Sequence, residues 1–96
     1  MLSLEWDDNK NKINKEKHGV SFEEAATVFY DENALLIQDP EHSFPGEERF
    51  IILGISSTLN LLVVCHCYRA NDERIRLISA RKATRNEAKQ YTYSLN

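Results

Sequence analysis

The chain has 96 residues, 42% of them hydrophobic and 28% charged, with a net charge of −3 at neutral pH. That suffices for one domain over residues 1–96 with a single modest core, and is too little for two. No apolar run approaches membrane-spanning length, and Met1-Leu2-Ser3-Leu4-Glu5-Trp6 lacks the basic start and apolar centre of a secretory signal, so a cytoplasmic protein is expected.

In chain order, Leu2, Leu4 and Trp6 alternate with Ser3 and Glu5, which predicts a short first strand. Asp7 or Asp8 can cap a lysine-rich helix running to His18, with Gly19 as its stop and Ile13, Trp6 and Val20 as its apolar anchors. Ser21 and Glu24 have capping-box spacing and open a second helix with Phe22, Ala25, Ala26 and Phe29 on one face. Ala34 to Asp39 reads as a strand. Pro40-Glu41-His42-Ser43-Phe44-Pro45-Gly46 then breaks the pattern as a surface loop. Arg49–Ser56 and Leu61–Tyr68 read as strands joined by a turn at Ser57-Thr58-Leu59-Asn60, and a turn at Ala70-Asn71-Asp72 leads into the next.

That last strand alternates, with Arg74, Arg76 and Ile78 on one face and Ile75, Leu77 and Ser79 on the other. Thr84 and Glu87 form a further capping box, starting a helix through Arg85, Ala88 and Tyr91. The order β-α-α-β-β-β-β-α predicts an α+β fold: an antiparallel sheet with two N-terminal helices and a C-terminal helix packed on it.

Charge is uneven along this order. Residues 21–50 hold eight acids against Arg49 alone, whereas residues 51–96 hold seven Lys/Arg against three acids. Such polarity fits an anionic partner at one side and a basic partner at the other. Cys65 and Cys67 sit two apart on one strand, poorly placed for a disulfide, and read as reduced thiols. His66 falls on the opposite face from both, so the three cannot readily close on zinc. Neither a metal nor a nucleotide cofactor is expected, since paired ligand motifs and a glycine-rich phosphate loop are both missing from the sequence. Phe50 and Tyr68 read as isolated aromatics rather than an RNA-stacking set. What the chain does collect is histidine, glutamate, lysine and arginine. Those groups suffice for metal-independent RNA cleavage by 2′-hydroxyl attack, which needs a base, an acid and cations on the phosphate.

Three segments carry a family resemblance: K-H-G-V-S-F-E-E-A at Lys17–Ala25, D-P-E-H-S-x-x-x-E-E-R-F at Asp39–Phe50, and R-I-R-L-I-S-A-R-K-A-T-R-N-E at Arg74–Glu87, followed by Tyr91. Together they resemble the BrnT family of type II toxins over Leu4 to about Tyr91. The resemblance implies a RelE-like fold and an endoribonuclease that blocks translation and growth. It also implies a co-encoded ribbon-helix-helix antitoxin, with promoter DNA bound only through the toxin–antitoxin complex. Matching positions mark Lys17, His18, His42, Glu47, Arg49, Arg76, Arg81 and Tyr91 as site candidates. Chemistry assigns His42 or Glu47 as base, His18 or Lys17 as acid, and Arg49, Arg76 and Arg81 as phosphate holders. Arg76 and Arg81 can alternatively form surface ion pairs with Glu73, Glu47 or Glu48, and Tyr91 can simply pack its ring on the sheet. The alternative to a toxin is a catalytically inactive, antitoxin-binding co-repressor module.

Overall fold

The computed structural model describes residues 3–69 and 73–95; Leu2 and the turn expected at Ala70-Asn71-Asp72 lie outside them. The elements are β1 (Leu4–Glu5), α1 (Asp8–His18), α2 (Phe22–Ala26), β2 (Leu35–Gln38), β3 (Arg49–Ile55), β4 (Leu61–Arg69), β5 (Arg74–Lys82) and α3 (Arg85–Ser94). Class and order are those expected. Short 3₁₀ turns at Thr27–Tyr30 and Pro40–His42 follow α2 and β2. No helix among the described residues is long and apolar enough to cross a membrane.

Local chemistry sets the helix ends. The Asp7 carboxylate accepts the Asn9 amide at 3.1 Å, and Gly19, at φ 71°, adopts the left-handed turn that stops α1. Thr84 and Glu87 form a complete capping box on α3. The box expected at Ser21 is only half made. Ser21 Oγ accepts the Glu24 amide, but Glu24 does not return the bond. One carboxylate oxygen of Glu24 accepts instead from Ser56 Oγ, Thr58 Oγ1 and Asn60 Nδ2 at 2.6–2.8 Å, pinning the β3–β4 turn. Three side-chain donors outweigh one backbone amide that solvent can serve.

The sheet has five strands in the order β1-β5-β4-β3-β2. The pairs β2–β3, β3–β4 and β4–β5 are antiparallel, while β1 joins β5 in parallel, a direction that a two-residue strand does not encode. Val20, Phe22, Ala25 and Val28 close one face over Ile52, Leu62, Val64, Leu77 and Ala80. Gly54 allows that approach: a Cβ there would lie 2.9 Å from both Ala34 Cβ and Val28 Cγ1.

Helix α1 docks differently from the prediction. Ile13 is 51% exposed and is no anchor; two buried asparagines take that part. Asn11 Oδ1 accepts the Phe22 amide at 2.8 Å. Asn14 donates to Ala80 O at 2.8 Å and accepts from Ala80 N at 3.1 Å, so its side-chain amide extends the sheet past the end of β1. A mostly polar helix is thereby fixed by directional bonds rather than an apolar stripe.

Alternation along β5 is also broken. The register with β4 shifts by one residue, pairing Cys65 with Ser79 but His66 with Leu77, and leaving Ile78 as a bulge. Uninterrupted alternation would put Ser79 and Arg81 opposite Arg76. The bulge brings all three to the face that also carries Cys65 and Cys67. Phe50 and Tyr68 are likewise not isolated. Their rings meet edge-on with centroids 5.0 Å apart, and the fully buried His66 sits among them and Phe29.

Candidate active site

The second face of the sheet is left largely open, because α3 covers only one end of it. There Tyr91 packs on Leu53 and Val63. Register places Arg49, Cys67 and Arg76 side by side across β3, β4 and β5, with Ile51, Cys65 and Ser79 in the next row and Leu53, Val63 and Arg81 beyond. Above these rows lies a cleft of about 260 Å³ bordered by Asp39, His42, Arg49, Cys65, Ser79 and Arg81, floored by apolar side chains of the strands.

The loop after β2 holds the histidine. Ser43 Oγ donates to Asp39 O and accepts the Arg49 amide, 2.7 and 2.8 Å, which ties the 3₁₀ turn to the first residue of β3. On that turn Asp39 and His42 are one turn apart and eclipse, and His42 Nδ1 lies 2.8 Å from Asp39 Oδ2. With Nδ1–H donated to Asp39, Nε2 of the neutral ring is the free lone pair, on a side chain that is 63% exposed. A carboxylate placed in this way fixes the orientation of the ring, an arrangement with which an imidazole can exchange protons at Nε2.

The arginines are held by acids. Arg49 Nε donates to Glu47 at 3.2 Å, its terminal nitrogens bond to none of the described residues, and Phe44 lies against its guanidinium. Arg76 pairs with Glu5 at 3.2 Å. Arg81 grips Glu87 through two bonds of 2.8 and 2.9 Å and also donates to Lys82 O. Among the described residues, Nε–H and one Nη2–H of Arg81 therefore have no partner. The same grip, reinforced by the Thr84 amide, pulls Glu87 down to about 2. The partners expected for Arg76 and Arg81 are replaced by Glu5 and Glu87, which are remote in sequence or had another evident task as a cap.

Both thiols stay protonated at neutral pH. Burial pushes Cys65 and Cys67 upward, outweighing nearby Arg49, and for Cys67 the Glu47 carboxylate adds to the rise. Neither is an activated nucleophile.

Of the remaining candidates, Lys17 and His18 border a second hollow of about 180 Å³ with Lys10, Ile13 and Asn14. It shares Ile78 and Ser79, the bulge, with the cleft. Glu47 lies beside Arg49 and 4.0 Å from Cys67. Tyr91 is apart from the others. Its hydroxyl donates to Asp31 at 2.6 Å, and burial followed by that carboxylate pushes it up to about 12. The structure thus gathers His42, Arg49 and Arg81 around one cleft, with Arg76 and Glu47 in the flanking row, Lys17 and His18 next door, and Tyr91 elsewhere. Asp39 was missed as a participant, although its D-x-x-H spacing before a proline-led turn was visible.

Residues 6–87 match the model of a family described as ribonuclease toxin, BrnT, of type II toxin–antitoxin system. Among solved structures, the chain is similar to the Brucella abortus ribonuclease toxin BrnT, at 21% identity and a TM-score of 0.65, covering 88% of this chain and 100% of that one. No curated protein matches this chain.

Proposed function

The chain belongs to the BrnT family of ribonuclease toxins of type II toxin–antitoxin systems, and on that premise we propose that its open-face cleft is a metal-independent endoribonuclease site. His42 Nε2 takes the proton of an RNA 2′-hydroxyl, and that oxygen attacks the adjacent phosphorus. Arg49 and Arg81 hold the phosphate and stabilise the charge that grows on it, with Arg76 as a further contact. The P–O5′ bond breaks, and the leaving oxygen takes a proton from His18 beyond the bulge. Products are a 2′,3′-cyclic phosphate and a 5′-hydroxyl. Glu47, already bonded to Arg49, orients that cation rather than acting as base. The observation that carries this reading is the Asp39–His42 pair sharing one cleft with Arg49 and Arg81.

In the cell such cleavage would block translation and growth in the cytoplasm. A ribbon-helix-helix antitoxin with a basic toxin-binding part would neutralise it against the acidic segment 21–50, and the complex would repress its own promoter. A second reading, an inactive co-repressor bound to the antitoxin, draws on one observation: His42, Arg49, Arg76 and Arg81 all have a carboxylate within 3.2 Å. End-group mapping of RNA treated in EDTA separates the two. Cyclic phosphate ends that disappear with His42→Ala support the ribonuclease, and intact RNA beside folded protein that binds its antitoxin supports the co-repressor.

A further inference from the structure

The arginines around the cleft are each compensated by an acid, whereas two lysines that border the neighbouring hollow are not. Lys10 and Lys17 form no ion pair with any acid among the described residues. They stand two helical turns apart, about 10 Å along the axis, on the same side as Ile13. All three border the hollow that meets the cleft at Ile78 and Ser79. The acids of α1, Asp8 and Glu16, are not among its lining residues. Ile13, half exposed between the two lysines, is an apolar step in a basic track.

From this we infer a second RNA subsite: the Lys10–Ile13–Lys17 side of α1 binds the backbone of nucleotides flanking the cleaved one, with a ribose or base against Ile13. The inference rests on the ribonuclease reading for its ligand and deepens it. Phosphate contacts position a chain without reading its sequence, and uncompensated ammonium groups beside a compensated cleft supply that attraction. The bulge matters twice, since it turns Arg81 toward the cleft and forms the sill between the two hollows. An RNA strand crossing that sill would meet Arg81 on one side and Lys17 on the other.

The test is equilibrium binding of an uncleavable 2′-O-methyl RNA dodecamer at several salt concentrations, with a trimer as the short probe. Lys10→Glu with Lys17→Glu should weaken dodecamer binding at least tenfold and flatten the salt dependence by about 1.4 in log–log slope, about 0.7 for each lost phosphate contact on a single strand. Trimer binding should change far less. Lys12→Glu is the control, because Lys12 carries the same charge on α1 but does not border the hollow. Melting curves confirm that every variant is folded. Equal losses from Lys12→Glu and Lys10→Glu would overturn the inference, as would an unchanged salt slope in the double variant. Dodecamer binding that depends on the two lysines, together with an unmodified dodecamer left intact by the wild-type protein, would uphold this subsite while sinking the ribonuclease reading. Wild-type protein that binds no RNA would sink both.

Discussion

The two faces of one sheet do opposite work, and β4 shows it within three residues. Val64 and His66 point into the helix-covered face and are fully buried, while Cys65 between them borders the open cleft. The covered face is mostly apolar and closely filled, with one continuous cluster that runs from Val20 to Ala80. The open face is a set of charged pairs whose members come from β1, the loop after β2, β3, β5 and α3. Burial stabilises the first. The second contributes little to stability, because its pairs are partly solvated. Its chemistry can therefore vary without unfolding the domain.

That separation can be broken from either side, and the largest effect should come from the covered face. Phe22→Ala, at a fully buried ring, should cost about 4 kcal/mol of unfolding free energy by denaturant titration. RNA cleavage per folded molecule should be unchanged. Arg49→Ala should do the reverse. It should lower the cleavage rate about 100-fold while shifting stability by less than about 1 kcal/mol, read from kinetics and titration on the same preparation. Next comes the seam between the faces. Asn14→Ala leaves both backbone groups of Ala80 unpaired at a buried edge and should cost about 2 kcal/mol, with faster amide exchange at Ala80. Tyr91→Phe removes the bond to Asp31 and should cost about 1 kcal/mol without touching cleavage, since the hydroxyl is remote from the cleft.

The smallest effects are read through pH. Glu87 has an ordinary value of 4.5 and about 2 in the fold. Its contribution is therefore complete above the ordinary value and drains away as pH falls from there toward 2. Arg81 is 42% exposed, so solvent screening limits the contribution to about 1 kcal/mol. Glu87→Gln should show that deficit at neutral pH and lose it at strongly acidic pH. His66 adds an acid-labile element on the covered face. Burial pulls its pKa below 6.5, so the stability of holding the ring neutral fades as pH drops below that value.

What could be read from the sequence was what is local. Caps at Asp7 and Thr84, the stop at Gly19 and the strand periods of β3 and β4 are written in neighbouring residues. What could not be read is non-local or costs no compositional signal. A bulge at Ile78 inserts one ordinary residue into an alternating run, yet it decides which face Arg81 joins. Glu5 reaches Arg76 across 71 positions. The ring cluster of Phe29, Phe50, His66 and Tyr68 draws on three elements. Asn11 and Asn14 gave no signal in a polar helix, because polar docking leaves no apolar stripe.

In the proposed division of labour, the open face carries cleavage and the covered face carries stability. Its most direct test is one paired measurement on the Arg49→Ala plus Arg81→Ala variant: RNA cleavage in EDTA and unfolding free energy, from the same sample. We predict cleavage reduced by more than 100-fold and a stability loss of no more than about 2 kcal/mol, twice the ceiling for one solvated pair. Cleavage that survives in the folded variant would contradict the account and move the chemistry off this cleft.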